Sequence, residues 1–209
     1  GGNQGDGLAW PYNNGPGGCC GFYQPSHNLV NSYKTDAVSG LPLLDTFNDV
    51  DMKNDATPTS INSNQPFIPE TGTVDSRLDH NVGRRGIPYM DWGLHAGKDW
   101  VRDQAYAGPF SPKKHIAEKK FSGVSGWQNL NANNYRMIRY SHILLWSAEI
   151  AAELGNLAAA TGFVNQVRAR AALPASMVKT YVNNDPSQGF TTTPAANYLV
   201  GQYPTFADL

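Results

Sequence analysis

The feature that most constrains this chain is a pair of helix-period stripes in its C-terminal third. From Arg136 to Leu154, Met137, Leu144, Leu145, Ala148 and Ala152 fall on one helical face, and Arg139, His142, Glu149 and Glu153 fall on another. The pattern predicts an amphipathic helix of about five turns. Gly155 and Asn156 supply a stop, after which Leu157, Ala160, Val164, Val167 and Ala171 repeat the stripe as far as Pro174. Two stripes flanking a Gly-Asn stop can bury each other, so residues 136–172 are expected to form an antiparallel helical hairpin. At about 38 residues the unit has the length of a tetratricopeptide repeat, a class that needs about three copies to bury its faces. Further copies are therefore expected outside this stretch of sequence.

The rest of the chain reads differently. Its 21 glycines and 14 prolines are about 17% of 209 residues, where about 12% is ordinary, and charged residues are 16% where about 25% is usual. Such a chain is loop-rich and charge-poor. Residues 1–25 mix Gly, Asn and Pro with Trp10, Tyr12, Phe22 and Tyr23. Ser26 is placed to cap a short helix from His27 to Lys34, which Gly40 and Pro42 follow. Residues 49–76 are a polar excursion, and 77–121 carry aromatics between Gly and Pro punctuation, which predicts short extended pieces and turns. Three regions are expected: a loop-rich 1–135, the hairpin at 136–174, and a loop at 175–209 that begins a further C-terminal segment. With no initiator Met and no charged-then-apolar leader, the sequence reads as an interior stretch of a longer chain.

Most familiar chemistry is not supported. A net charge of -1 lacks the basic surplus of a nucleic-acid binder, and no apolar run reaches the roughly 20 residues of a membrane span. The histidines at 27, 80, 95, 115 and 142 form no HExxH pair, so neither a metal hydrolase nor any other cofactor is implied. Gly15, Gly17, Gly18 and Gly21 miss the GxGxxG register and follow no apolar strand. Asp45, Asp49, Asp51 and Asp55 resemble a calcium loop only loosely, because Lys53 interrupts them, and a solvated acidic loop is the default reading. Asp75 and Asp79 could be a glycosidase carboxylate pair by spacing, but Arg77, Arg84 and Arg85 beside them point to an ion-pair network. A bond between the adjacent Cys19 and Cys20 would be strained, their Cα atoms being about 3.8 Å apart. Two thiols under a glycine loop are the favoured reading.

Aromatic and amide chemistry stands out above this background. Sugar C–H faces stack on Trp and Tyr rings, and sugar hydroxyls need the donors and acceptors that Asn amides provide. Trp10, Tyr12, Asn13 and Asn14 put both types on one glycine-flanked loop and are the candidate glycan-binding residues. The competing reading for Trp10 is a plug that holds the loop against the core, and Trp92, Trp100 and Trp127 are read as core.

Several stretches, taken together, resemble the C-terminal half of the SusD/RagB family of outer-membrane nutrient-binding lipoproteins. They are GCCGFYQPSHNLVNSYKTD (18–36), GLPLLDTFN (40–48), DSRLDHNVGRRGIPYMDWG (75–93), GPFSPKK (108–114), RYSHILLWSAEIAAELGN (139–156) and VNQVRARAAL (164–173). The resemblance implies a mainly α-helical fold, with a tetratricopeptide-like scaffold, extensive irregular loops and short strands. It implies a binding protein and not an enzyme, exposed on the cell surface and held to the outer membrane by a lipid anchor outside this stretch. Its partner would be a SusC-like TonB-dependent transporter, to which it delivers an oligosaccharide ligand. A peptide or protein receptor of the same fold is the alternative, and a glycoside hydrolase a more distant one. One departure is His142, which stands where the family motif usually has Glu, so the customary carboxylate near Arg139 is missing.

Overall fold

The computed structural model describes residues 7–12, 15–18, 20–53, 67–122, 134 and 136–207. Its elements in chain order are α1 (His27–Asn31), α2 (Leu78–Asn81), β1 (Val82–Gly83), α3 (Gln104–Ala107), β2 (Ser111–Pro112), α4 (Tyr140–Glu153), α5 (Leu157–Ala172), β3 (Lys179–Tyr181) and β4 (Phe190–Pro194), with several 3-10 turns between them. The fold is mainly helical with short strands, and its two long helices are the ones the stripes predict.

Three of these helices begin where a side chain satisfies a free N–H group, whereas α2 starts after Arg77 with no side-chain cap. Ser26 accepts from Leu29 N at the start of α1, Asp103 from Ala105 N at α3, and Asn156 from Ala159 N at α5. α1 is shorter than the expected 27–34 because the chain turns extended: Lys34 bridges to Val74 and Thr35 to Pro42. α4 starts at Tyr140 and not at Arg136. Arg139 is extended, at φ -117° and ψ 154°, and its N–H donates to His142 Nδ1, a local bond that sets the helix start. Met137 is consequently 81% exposed and outside the helix.

α4 and α5 pack on each other across Gly155, which takes φ 73° and ends α4. Leu144, Ala148 and Ala151 are buried on α4, and Ala160, Thr161, Arg168 and Ala171 on α5. The buried α4 stripe is thus offset from the expected one, and Leu145 lies half in solvent. Beyond α5 the structure holds a β-hairpin, β3 paired antiparallel with β4, where the sequence suggested only loop.

Two apolar clusters fill the body. One gathers Val30, Met52, Val74, Leu78, Val82, Phe110 and Tyr198. The other gathers Trp10, Tyr89, Ile116 and Ala117, with Met90, Trp92 and Trp100 against it. Between elements with so little regular hydrogen bonding, buried polar groups do much of the stitching. The fully buried Asp79 takes both prongs of Arg84, at 2.7 and 2.8 Å, and the Tyr198 hydroxyl at 2.6 Å. Lys113 Nζ donates to the Asp79 and Pro88 carbonyls at 2.6 and 2.7 Å. Burial lowers the Lys113 pKa to about 8 from 10.5, against the pull of Asp79. α5 is tied to the body by Arg168, whose guanidinium reaches the carbonyls of Gly201 at 2.5 Å and Gly40 at 2.9 Å. Ser76 Oγ donates to the Ala171 carbonyl beside it at 2.6 Å.

The expectation of two thiols is overturned: Cys20 is disulfide-bonded, and the chain's other cysteine is Cys19, which lies outside the described residues. Gly18 at φ 62°, Gly21 at φ 65° and Cys20 at φ 130° give this loop a left-handed backbone that ordinary residue runs do not adopt.

Replacing Asp79 by Ala strands the Arg84 guanidinium in the core, which is expected to cost about 3–5 kcal/mol of folding stability. Tyr198→Phe removes one hydrogen bond and should cost about 0.5–1.5 kcal/mol. Urea unfolding of the two variants checks both the size and the order of these losses.

Candidate functional site

The aromatic loop is held by backbone pairing between two stretches near the start of the chain. Gly21 N donates to the Trp10 carbonyl at 2.9 Å and Phe22 N to Leu8 at 3.0 Å, while Tyr12 N donates to Trp100 at 2.8 Å. This lattice sorts the rings into two groups. Trp10 is completely buried, edge-on to Trp92 with ring centroids 5.3 Å apart, and offers no ring face to a ligand. That is the plug geometry. Trp92 and Trp100 pack on the same cluster, and Trp92 Nε1 donates to the Ala117 carbonyl at 2.8 Å.

The other group faces outward. Tyr12 is half-buried, Phe22 is 41% exposed and Tyr23 is 66% exposed. Arg102 arrives from the far side of the sequence and places its guanidinium 4.4 Å from the Tyr12 ring centroid and 4.6 Å from that of Phe22. Arg102 Nε donates to the Cys20 carbonyl at 2.7 Å, which fixes the fork beside the rings. The result is a surface with apolar ring area and planar N–H donors together, the two things a sugar face with its hydroxyls requires. Asn13 and Asn14 lie outside the described residues, as does Trp127.

A model of the SusD family matches residues 1–198 of this chain. The chain belongs to the SusD family. Among curated proteins it has no significant match. SusD-family members are outer-membrane-associated, nutrient-binding proteins without catalytic activity that pair with SusC-type transporters. Among the described residues no helix is long and apolar enough to cross a membrane.

The carboxylates accord with a binding role. Asp79 is spent on Arg84 and Tyr198, and Asp75 takes Arg77 Nε at 2.9 Å and Nη2 at 2.5 Å. Burial pushes the Asp75 pKa up, but the bonds and charge of Arg77 outweigh it and hold the carboxyl below the usual range. A glycosidase acid needs the opposite shift. The ion-pair reading of Asp75 and Asp79 therefore holds within this SusD-family fold. His95 is likewise structural: its Nδ1 accepts from Gly97 N at 2.9 Å, its Nε2 bonds Ser111 Oγ at 2.8 Å, and burial with the nearby Lys113 lowers its pKa to about 3.

Sequence reasoning singled out Tyr12 but left Phe22, Tyr23 and Arg102 out of the site. The two rings were visible as loop aromatics. Arg102 carried no signal, because its partners are about 80 positions away and its neighbours form no motif.

As a core plug, Trp10 should be a stability residue. Trp10→Ala is expected to lower folding stability by about 3–5 kcal/mol. Thermal and denaturant unfolding measure this, and a loss below about 1 kcal/mol would place the ring outside the core.

Proposed function

We propose that this chain captures oligosaccharides at the cell surface and delivers them to a SusC-like TonB-dependent transporter, with the aromatic loop as its sugar-contacting face. The observation that carries the reading is the outward group of Tyr12, Phe22 and Tyr23 with the Arg102 guanidinium set among the rings. In it Tyr12 and Tyr23 stack on sugar C–H faces, and Arg102 donates to hydroxyls. Asn13 and Asn14, which follow Tyr12 directly in sequence, supply amides. Trp10 contributes from beneath by fixing the loop to the core. A lipid anchor outside this stretch would hold the protein at the outer membrane.

The rings are pre-positioned by backbone bonds, so a ligand meets them with little ordering cost. Truncating Tyr12 or Tyr23 to Ala should weaken oligosaccharide binding by about 1–2 kcal/mol each, from lost ring contact and area. Unlike Trp10→Ala, these changes should leave the melting temperature nearly unchanged. Isothermal titration against a panel of neutral oligosaccharides checks this. Undiminished sugar affinity in a Tyr12→Ala/Tyr23→Ala variant would remove the loop from the site, and binding of peptides but of no saccharide would make the protein a peptide receptor.

A further inference from the structure

Two cavities, of about 1210 and 420 Å3, open beside the start of α4 and share four residues: His80, Lys114, Arg136 and Arg139. Lys114 comes from the segment after β2, and the two arginines from the segment that leads into α4. The fold therefore brings three cationic side chains from separate stretches to one concave junction. Carboxylates do line the cavities, but they are engaged elsewhere. Asp75 is held by Arg77, and Glu118 by Lys120 Nζ at 2.9 Å. Among the described residues no carboxylate pairs with Lys114, Arg136 or Arg139.

Apart from Asp75 and Glu118, the residues lining the cavities add no negative charge. Residue 142, one turn into α4, is His142, whose Nδ1 is occupied by the Arg139 N–H, and the first turn of α4 contains no acid. The positive end of that helix dipole thus adds to the same field. His80 donates Nε2–H to the Ser176 carbonyl, and burial holds its pKa below the ordinary 6.5. Partial burial and the charges of Arg139 and Arg136 lower the Lys114 pKa to about 8 from 10.5, which reports that these cations feel one another.

We propose that this junction is an anion-reading subsite, distinct from the aromatic loop, in which Lys114, Arg136 and Arg139 take the carboxylate or sulfate group of an acidic oligosaccharide. Arginine forks match the paired oxygens of either group, and an ammonium supplies a compact charge beside them. An anion placed among these three cations would be attracted by all of them. The saccharide part of the proposal rests on the glycan reading above. The anion part does not.

The test uses the full-length protein and three trisaccharide probes: one uronate-bearing, one neutral in the same linkage, and one neutral with a single O-sulfate. The acidic probes should bind roughly tenfold more tightly than the neutral one, the gain of a charge-assisted pair. In the Lys114→Gln/Arg136→Gln/Arg139→Gln variant that advantage should vanish while neutral-sugar affinity stays as in the parent. The stronger of the two acidic probes separates uronate from sulfate recognition. Lys114 loses its charge as pH rises through about 8, while the arginines stay charged, so the advantage should shrink between about pH 7 and about pH 9.5. The other titratable groups lining the two cavities are His80, Lys113, His115 and Glu118 in the smaller and, in the larger, Tyr33, Lys34, Asp75, Arg77, Tyr140, His142 and Arg170. Lys113, whose pKa burial also lowers to about 8, titrates in the same window. Lys114→Gln should therefore remove the part of that pH dependence that Lys114 carries, and an unchanged pH profile in this variant overturns the role of Lys114.

An acidic advantage that is absent, or that survives the triple substitution, overturns the proposal and leaves the glycan reading intact. If no saccharide binds at all, the glycan reading fails, and inorganic sulfate followed at the Lys114 Nζ resonance decides the anion site. A saturable shift lost in Arg139→Gln supports the site, and no shift overturns it.

Discussion

The body of this protein depends on the buried pairing of Asp79 with Arg84. Neither side chain reaches solvent, so each must find its whole complement of partners inside. Asp79 meets that demand with both prongs of Arg84 and the hydroxyl of Tyr198, and its carbonyl takes Lys113. The Tyr198 hydroxyl is thereby kept protonated, its pKa raised first by burial and then by the adjacent carboxylate. These groups come from α2, from the turn after β1, from the segment after β2 and from the chain beyond β4. In a structure whose strands are mostly two or three residues long, such a node supplies the register that an extended sheet would otherwise impose. Burying a charge pair adds little net stability, but every wrong pairing of these segments would leave a charge unsatisfied.

The same logic joins the hairpin to the body. Arg168 lies on the buried side of α5 and ends on two carbonyls, those of Gly40 and Gly201, where the chain crosses itself. Gly201 N donates to the Gly40 carbonyl at 3.0 Å, and a Cβ at Gly201 would lie 1.8 Å from the Ser39 carbonyl oxygen. Only glycine permits that crossing. Asn165 adds a reciprocal pair with Tyr203, accepting its N–H at 2.9 Å and donating to its carbonyl at 2.8 Å. The C-terminal segment is thus laid along α5 by side chains that the helix turns inward. With the hairpin fixed there, the larger cavity at the start of α4 has one wall from α4 and α5 and another from the body.

The aromatic loop and the cationic junction are built on different principles. The loop owes its shape to backbone pairing and to left-handed positions at Gly18, Cys20, Gly21 and Tyr23, which turn Trp10 inward and leave Phe22 and Tyr23 outside. The junction owes its character to a missing charge: histidine where an acid could have neutralised Arg139. One suits neutral ring faces, the other the charged substituents of a sugar.

What the sequence by itself determined is what depends on neighbours. The two helices follow from stripes and from the Gly155-Asn156 stop, α1 from Ser26, and the Asp79–Arg84 pair from a spacing of five residues within one turn-rich segment. The family was legible too, because its motifs are local strings. Tertiary structure alone decided the rest. Whether Trp10 pointed in or out turned on Trp92, and the outward surface on Arg102, both far along the chain. β3 and β4 are short and weakly patterned, and they pair with an irregular register between Lys179 and Tyr181. The convergence of Lys114 with Arg136 and Arg139 has no trace in spacing either. The physical reason is common to all of these. A helix is specified by contacts three and four residues apart, whereas loop packing and charge convergence are specified by contacts between segments whose meeting no local pattern encodes.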